Sequence, residues 1–438
     1  MRLSCVLLVN LGLVGMGPGA ASVSALDAPH TLHHTKSTPH LVESHHPVKH
    51  SASHETARTA PPKASVHGQT HAVHSSSRLG NGAPTIRRTR LVVRHHRYYE
   101  HFTASSFAAG DIFAEDNTVG EDPVIRQAAI DALGDMNGTA VVINPANGRI
   151  LAMVNQKLAL SPGAEPCSTI KLTVAMAALS EGLVTRDTMV QLPGFRMNMT
   201  QALAKSNNLY FEELGRELGF ERVRHYANQF GLGELAGYNI AGEQLGVYPD
   251  QEISAAEGGV GRMCSFGQGV SMTPLQLGAY VAALANGGTL YYLQHPTTPE
   301  DLASFEPRVK RTLDIARFVP DLQDGMAGAV EYGTARRLRA SFTELPVFGK
   351  TGTCSNEGTR YGWFASYSDS PQGSLVTVFF LEGGRPTFGP RAAELTGAFY
   401  RNLWDHEYFT AKAQTSSTVV PVSTPQPVMQ PAASGVDQ

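Results

Sequence analysis

The sequence has little charge, few cysteines and no long apolar run. Asp, Glu, Lys and Arg make up 17% of its 438 residues, and the formal net charge is −3. This weakly acidic balance does not provide the positive surface that nucleic-acid binding requires. No apolar run reaches the ~18 residues that a membrane-spanning helix needs. Neither the charge nor the hydropathy therefore argues for a nucleic-acid-binding or membrane-spanning protein.

Metal and phosphate motifs are also lacking in the sequence after residue 120. His, Cys, Asp and Glu do not occur there at the spacings of metal ligands, and no glycine-rich loop has the pattern that cradles phosphate. We therefore expect a protein that needs neither a metal nor a cofactor.

The first 25 residues are typical of an export signal. Arg2 provides a positive start, residues 5–17 are apolar but interrupted by glycines, and Val23-Ser24-Ala25 has the small side chains that signal peptidase accepts. An uncleaved membrane anchor is the alternative interpretation. Both interpretations place the rest of the chain in the periplasm or on the outer face of the cytoplasmic membrane.

Residues 26–119 form a histidine-rich and basic region. Fourteen of the 17 histidines lie before residue 102. Because such a composition buries too little surface to offset the entropy of ordering, we predict a disordered linker there and a disordered tail over residues 409–438. The histidines could bind metal, although a solvated spacer is the favoured interpretation. Residues 87–101 are rich in arginine and could contact anionic lipid or cell-wall polymer.

Residues 120–408 are predicted to form one folded domain. Two β-rich runs flank Asn147-Gly148, which is a strong hairpin signal. The other predicted elements are helices that start near Ser168, Leu209, Thr273 and Arg391, and strands over Val347–Cys354, Gly362–Tyr367 and Leu375–Leu381. Strands and helices in this order predict an α+β domain with an antiparallel sheet that is covered by helices.

Three short motifs carry residues suited to acyl transfer. Ser168-Thr169-Ile170-Lys171 places a hydroxyl and an amine on one face of a helix. Serine is a weak nucleophile until a neighbouring base takes its proton, and a desolvated lysine can be that base. Ser206-Asn207-Asn208 follows in a loop before a helix, and Lys350-Thr351-Gly352-Thr353 follows in a strand. Each motif alone is common, but three in this order on these elements are hard to attribute to chance.

The order S-x-x-K, S-x-N, K-T-G resembles that of the penicillin-recognising serine acyl-transferases, which include penicillin-binding proteins and serine β-lactamases. Two further stretches, from Gly242 to Pro249 and Ser265–Gly288, resemble the penicillin-binding-protein transpeptidase domain in particular. The resemblance implies a β-lactamase/DD-peptidase-like fold, with an antiparallel sheet, flanking helices and a helical lobe. Ser206 follows Ser168 by 38 residues, which is short for this family and implies a trimmed lobe.

The resemblance also implies a role for each motif residue. Ser168 would be acylated by a D-alanyl-D-alanine stem peptide of peptidoglycan or by a β-lactam, and Lys171 would accept its proton. Ser206 would pass a proton to the leaving amine, Lys350 would keep that region positive, and Asn208 would orient Lys171 and the substrate amide. The remaining groups would bind the substrate carboxylate (Thr351, Gly352 and Thr353) and the oxyanion (the backbone N–H groups of Ser168 and Thr353).

The resemblance further implies a disulfide. Class A carbapenemases are similar to this arrangement and have a disulfide between the positions that correspond to Cys167 and Cys354. We therefore expect these two residues to be bonded in an oxidising compartment, with two unpaired buried thiols as the alternative. Cys264 is expected to be a core thiol, and Trp363 is expected to pack the sheet instead of stacking on substrate.

Several functions remain open from the sequence. A DD-transpeptidase or DD-carboxypeptidase acting on peptidoglycan is favoured. For a β-lactamase, Glu243 lies at about the distance expected of the glutamate that drives water onto the acyl-enzyme, but its context, GEQLG, is the penicillin-binding-protein pattern. A class D β-lactamase would have S-x-V where this chain has S-N-N. A non-catalytic sensor of β-lactams or peptidoglycan is the other alternative, and the rate of deacylation would separate these functions.

Overall fold

The computed structural model describes residues 101–370 and 372–410. The expected leader over residues 1–25, the linker up to residue 100 with most of its basic segment, and the tail after residue 410 lie outside the described residues. Within the described ranges, no helix is both long enough and apolar enough to cross a bilayer.

The described chain alternates short helices and strands, and its three longest strands come near the end. The strands are β1 Gly138–Asn144, β2 Arg149–Val154, β3 Val190–Leu192, β4 Phe195–Met197, β5 Thr289–Tyr291, β6 Val309–Thr312, β7 Val347–Asn356, β8 Thr359–Ser368 and β9 Leu375–Gly383. The α-helices are α1 Pro123–Leu133, α2 Gln156–Ala159, α3 Lys171–Ser180, α4 Met199–Lys205, α5 Asn208–Leu218, α6 Phe220–Gln229, α7 Gly259–Phe266, α8 Pro274–Ala285, α9 Pro299–Ala303, α10 Val319–Glu331 and α11 Gly389–Asp405. Short 3-10 helices cover Cys167–Ile170, Ala255–Glu257, Ala316–Phe318 and Arg336–Ala340.

A five-stranded antiparallel sheet with the order β2-β1-β9-β8-β7 forms the centre of the domain. Its first two strands form a hairpin around Asn147-Gly148, with Ala140 opposite Val154. The φ angle of Gly148 is 75°, a conformation that L side chains rarely adopt, so this turn requires glycine there. The predicted hairpin and the predicted antiparallel α+β architecture are confirmed.

The last three strands pair in sequence order and leave β7 at the edge of the sheet. Lys350 of β7 lies opposite Ala365 of β8, and Thr353 lies opposite Gly362. All three predicted strands are confirmed, although each is longer than its apolar run suggested. As an edge strand, β7 has one side that is available to helices or to an added strand.

Helices cover both faces of the sheet. Val141 and Ile143 of β1 pack in the same core as α3 and α8, whereas Ala140 and Val142 pack in a second core with α1 and α11. This alternation follows from the two-residue period of a strand. The sheet is therefore a rigid layer between α1 and α11 on one side and a helical lobe that includes α3 and α8 on the other.

The ends of the two apolar helices agree with their sequence signals. At the start of α8, Thr273 accepts the backbone N–H of Gln276, and the Gln276 side chain accepts the backbone N–H of Thr273. Pro274 occupies the first turn, where its missing N–H costs nothing. Gly182, with a φ angle of 65°, follows the end of α3. The predicted start of α8 near Thr273 is confirmed.

The folded unit extends beyond the expected range of residues 120–408. Asp116 pairs with Arg126 of α1 at 2.8 Å, so residues 101–119 are not entirely part of a disordered linker. At the other end, Phe409 is buried in the core beneath α11. A polar residue such as Asp116 was assigned to the linker because the sequence does not show which residue it contacts in the folded chain.

Candidate active site

Ser168 lies in the 3-10 helix Cys167–Ile170, which leads directly into α3. Lys171 is the first residue of α3 and is completely buried, whereas Ser168 remains half-exposed. Lys171 Nζ lies 3.0 Å from Ser168 Oγ. The three-residue spacing of the first motif thus brings the amine within hydrogen-bond reach of the hydroxyl.

The second motif forms the turn between α4 and α5. Ser206 ends α4 in the left-handed conformation, with a φ angle of 53°, and Asn207 caps α5 by accepting the N–H of Tyr210. Lys171 Nζ donates to the backbone oxygen of Ser206 at 2.9 Å and to Asn208 Oδ1 at 2.6 Å, and it lies 3.2 Å from Ser206 Oγ. This turn therefore holds the Lys171 amine in one place.

The third motif lies on the edge strand β7. Lys350 is fully buried, and its Nζ donates to Ser206 Oγ and to the backbone oxygen of Thr351, both at 2.9 Å. Ser206 Oγ consequently lies between the amines of Lys171 and Lys350. The structure brings all three sequence motifs into one hydrogen-bonded group.

Burial controls the protonation of both lysines. Loss of hydration lowers the pKa of Lys350 to about 7. The same cause holds the pKa of Lys171 well below its ordinary range, and the nearby Lys350 lowers it further, while Glu212 opposes the shift. A neutral Lys171 has the lone pair that is needed to accept the proton of Ser168.

We expect the second-order rate constant of Ser168 acylation to have a bell-shaped pH dependence. The rate should rise with pH as Lys171 loses its proton, because only the neutral amine can act as a base. It should fall again around pH 7 as Lys350 loses its positive charge, which the resemblance implies would attract a substrate carboxylate. Stopped-flow acylation by a fluorescent penicillin, from about pH 5 to about pH 9, measures both limbs.

Lys350→Arg is the matched variant for this experiment, because a guanidinium keeps its charge over the whole range. The falling limb should disappear in this variant and the rising limb should remain. If the falling limb instead stays near pH 7, its assignment to Lys350 is wrong.

The two threonines of the third motif are oriented by neighbouring segments. Thr351 Oγ1 lies 2.6 Å from Thr334 Oγ1, and Thr353 Oγ1 accepts the backbone N–H of Gly389 at 2.8 Å. Both contacts fix hydroxyl groups on β7. No motif marks Thr334 or Gly389, so these positioning contacts were not foreseen from the sequence.

Gly352 allows β7 to approach the 3-10 helix that carries Ser168. A Cβ atom at Gly352 would lie 2.8 Å from the carbonyl oxygen of Pro166 and 3.1 Å from Thr169 Cγ2. We expect Gly352→Ala to push the strand away from the helix and to slow acylation of Ser168 by about 10²-fold, as a displacement of about 1 Å does in other active sites. Stopped-flow penicillin acylation gives the rate.

Gly110→Ala is the control for Gly352→Ala, since a Cβ atom at Gly110 would contact nothing within 4 Å. It should acylate at the wild-type rate. Wild-type acylation by Gly352→Ala would show that the close approach of strand and helix is not needed.

A disulfide joins the 3-10 helix that carries Ser168 to β7, the strand of the third motif. Cys167 and Cys354 are bonded, with Cα atoms 5.5 Å apart, as the resemblance implied. Cys167 has a φ angle of 51°, so the residue before Ser168 is held in a conformation that L residues rarely adopt. Cys264 is a free thiol in the core, as expected. The bond therefore fixes the backbone on both sides of the candidate site.

Trp363 packs inside the core on the side of the sheet that faces the helical lobe. It is fully buried, stacks on Phe380 with ring centroids 3.9 Å apart, and donates from Nε1 to the backbone oxygen of Glu165 at 3.0 Å. The expected packing role is confirmed. The hydrogen bond also ties the segment before Ser168 to β8.

The carboxylate of Glu243 is held by the backbone of a neighbouring loop. Its Oε1 accepts the backbone N–H of Ala236 at 2.8 Å and its Oε2 accepts that of Gly237 at 3.0 Å. Burial raises the pKa of Glu243, although these two donors oppose the rise. A carboxylate that is engaged by two backbone N–H groups orients a loop, which argues against its use to drive water onto an acyl-enzyme.

Similarity to known proteins agrees with this geometry. A family model described as the penicillin binding protein transpeptidase domain matches residues 138–400. The chain is 28% identical to stage V sporulation protein D of Bacillus subtilis (strain 168) over 317 residues, which cover 60% of this chain and 48% of that protein. It is 25% identical to peptidoglycan D,D-transpeptidase MrdA of Escherichia coli (strain K12) over 370 residues, which cover 76% of this chain and 53% of that protein. The chain thus spans about half the length of these relatives.

Solved structures share the fold. Pseudomonas aeruginosa PBP2 in complex with WCK 5153 has a TM-score of 0.55 and 23% identity, covering 66% of this chain and 74% of that one. The D,D-transpeptidase domain of a peptidoglycan glycosyltransferase from Eggerthella lenta has a TM-score of 0.52 and 20% identity, covering 66% of this chain and 82% of that one. The folds agree, and the family match extends over more than half of the sequence. The chain therefore belongs to the penicillin-binding protein transpeptidase domain family.

Proposed function

We propose that the chain is a DD-transpeptidase or DD-carboxypeptidase that forms an acyl-enzyme between Ser168 and D-Ala-D-Ala stem peptides of peptidoglycan. The observation that carries the proposal is the position of Ser206 Oγ, 3.2 Å from Lys171 Nζ and 2.9 Å from Lys350 Nζ. Since Lys171 Nζ also lies 3.0 Å from Ser168 Oγ, nucleophile, base and proton donor form one connected group. β-Lactam antibiotics would acylate the same serine.

In the acylation step, successive transfers through this connected group carry a proton from Ser168 to the leaving amine. Ser168 Oγ attacks the carbonyl carbon of the penultimate D-alanine, and Lys171 takes the Ser168 proton. The resulting oxyanion lies between the backbone N–H groups of Ser168 and Thr353. When the peptide bond breaks, Ser206 donates a proton to the leaving amine and regains one from Lys171. The products are an ester on Ser168 and free D-alanine.

The third motif binds the carboxylate of the terminal D-alanine. A protonated Lys350 attracts this anion, which in turn raises the pKa of Lys350. The Thr351 and Thr353 hydroxyls donate to the carboxylate, and Gly352 keeps the strand close to the nucleophile. Asn208 holds Lys171 through a hydrogen bond of 2.6 Å and uses its amide to orient the peptide.

The ester on Ser168 then reacts with one of two acceptors. An amine from a neighbouring strand produces a cross-link, and water produces a shortened peptide. The edge of β7 suits a donor peptide that binds in extended form by strand addition. Because the carboxylate of Glu243 is engaged by backbone donors, a rapid β-lactamase-type hydrolysis is not favoured.

We place this reaction outside the cytoplasm. The first 25 residues have the composition of an export signal, and residues 87–101 supply positive charge for contact with cell-wall polymer or anionic lipid. The Cys167–Cys354 disulfide is suited to an oxidising compartment.

Release of D-alanine from a D-Ala-D-Ala peptide, in the presence and absence of an added amine, tests this function. A product that contains the amine indicates a transpeptidase, and a free peptide carboxylate indicates a carboxypeptidase. Ser168→Ala should abolish both products. Equal release of D-alanine by Ser168→Ala would contradict the proposal.

A further inference from the structure

A cavity of about 660 Å³ lies beside the end of β7. Thr353 and Cys354 of β7 line it, together with Glu165, which precedes Ser168 by three residues, and Arg262 of α7. We call this cavity the β7 pocket. It adjoins the place where the proposed oxyanion forms, but none of the steps described above uses its charged residues.

Two oppositely charged residues of the β7 pocket, Glu165 and Arg262, do not form a salt bridge with each other. Arg262 stacks on Phe266 at 4.0 Å and donates from Nε to Gln268 Oε1 at 3.2 Å. Within the described residues, the Nη groups of Arg262 make no hydrogen bond or ion pair. The carboxylate of Glu165 makes none either within these residues. Desolvation raises the pKa of Glu165, and Arg262 opposes this. Half-buried charges of this kind are best satisfied by a ligand that carries both signs of charge.

A second arginine, Arg360, also lines the β7 pocket. It donates from Nη1 to the backbone oxygen of Arg385 at 3.3 Å, and its guanidinium lies 5.8 Å from the ring centroids of both Phe102 and Phe388. Within the described residues, Arg262 thus has both Nη groups without a hydrogen bond, whereas one Nη group of Arg360 donates to a backbone oxygen, and Arg360 provides a matched control.

The path of a donor peptide along β7 leads into this pocket. In the proposed function, the terminal carboxylate lies near Lys350 and Thr351 and the scissile carbonyl lies near Thr353. A peptide that adds to a strand edge advances by about 3.3 Å per residue. The residue before D-Ala-D-Ala therefore lies beside the last residues of β7, where the pocket opens.

We propose that Arg262 and Glu165 select the donor peptide by the residue that precedes D-Ala-D-Ala, favouring a diamino-dicarboxylic residue whose side chain ends in both an ammonium and a carboxylate group. Arg262 binds the carboxylate through its two Nη groups, and Glu165 binds the ammonium. A lysine at this position leaves Arg262 without a partner. This inference rests on the proposed function and adds its substrate class.

The experiment uses three peptides of the form X-D-Ala-D-Ala. X is the diamino-dicarboxylic residue, the same residue with its side-chain carboxylate amidated, or lysine. The wild-type enzyme should release D-alanine from the first peptide with a kcat/KM at least about tenfold above the others. Arg262→Gln should lower the kcat/KM of the first peptide to that of the other two peptides, and it should leave the kcat/KM of those two within about twofold of the wild-type value. Glu165→Gln should lower kcat/KM for all three peptides, since each carries the side-chain ammonium group. Arg360→Gln should leave kcat/KM unchanged for all three.

A pair of penicillins supplies a second readout. Carbenicillin carries a side-chain carboxylate that benzylpenicillin lacks. The acylation rate constant of carbenicillin divided by that of benzylpenicillin should fall about threefold or more in Arg262→Gln. Benzylpenicillin itself should react at the wild-type rate. An unchanged benzylpenicillin rate also demonstrates that the variant is folded and that Ser168 is competent.

Separate outcomes contradict the two proposals. Release of D-alanine from all three peptides at equal kcat/KM, an equal loss on all three in Arg262→Gln, or an unchanged penicillin ratio overturns the role of Arg262 alone. If none of the peptides releases D-alanine in a Ser168-dependent way, the proposed function is contradicted, and the role of Arg262 and Glu165 is contradicted with it.

Discussion

Replacing Lys171 with alanine should slow the acylation of Ser168 by about 10²–10⁴-fold, the range that a positioned general base contributes. Lys171 Nζ lies 3.0 Å from Ser168 Oγ and is held by Ser206 and Asn208. Without the amine, the lysine nitrogen that contacts the Ser168 hydroxyl is lost, and serine without a neighbouring base is a poor nucleophile. Intact-mass spectrometry of the penicillin adduct against time measures the rate.

Lys157→Ala is the matched control for Lys171→Ala. Lys157 is exposed on α2 and belongs to none of the three motifs, so its loss should leave the acylation rate unchanged. Circular dichroism should show that both variants are folded. If the folded Lys171→Ala variant acylates at the wild-type rate, another group is the base and the assigned mechanism is wrong.

Removing the disulfide should have the largest effect on stability. We expect the double variant Cys167→Ser, Cys354→Ser to lower the free energy of unfolding by about 2–5 kcal/mol. The bond joins residues separated by 187 positions, so its loss allows the unfolded chain many more conformations. Urea unfolding monitored by circular dichroism gives the difference, and reduced wild-type protein should match the double variant.

Cys264→Ala separates the disulfide from a general effect of cysteine replacement. Cys264 is buried but unpaired, so this variant should still lose stability when a reductant is added, whereas the double variant should not respond. A double variant as stable as the oxidised wild type would contradict a stabilising role for the disulfide.

Features with local signals were predictable from the sequence. The hairpin depends on Asn147-Gly148, the start of α8 depends on the Thr273-Pro274 capping pattern, and β7 to β9 depend on runs of β-forming residues. That Lys171 and Lys350 lie close together was predicted in a different way, from the resemblance of the three motifs to a known family. Local patterns carry no information on which distant elements pack together.

Long-range polar contacts could not be predicted. Thr334 orients Thr351, and Asp116 pairs with Arg126 and so extends the domain beyond its expected start. These polar residues lie in segments without a distinctive pattern, and their pairing depends on the folded backbone. The engagement of Glu243 by two backbone N–H groups is of the same kind, since its sequence context alone suggested only that it was not a hydrolytic residue.

The most direct test of the central claim is the stoichiometry, position and lifetime of a penicillin adduct. Intact-mass and peptide-mapping spectrometry should find one penicilloyl group per chain, attached to Ser168, absent in Ser168→Ala and persisting for many minutes after excess penicillin is removed. An adduct that is lost within seconds would indicate a β-lactamase instead. Labelling that does not depend on Ser168 would contradict the acyl-enzyme and leave only the fold.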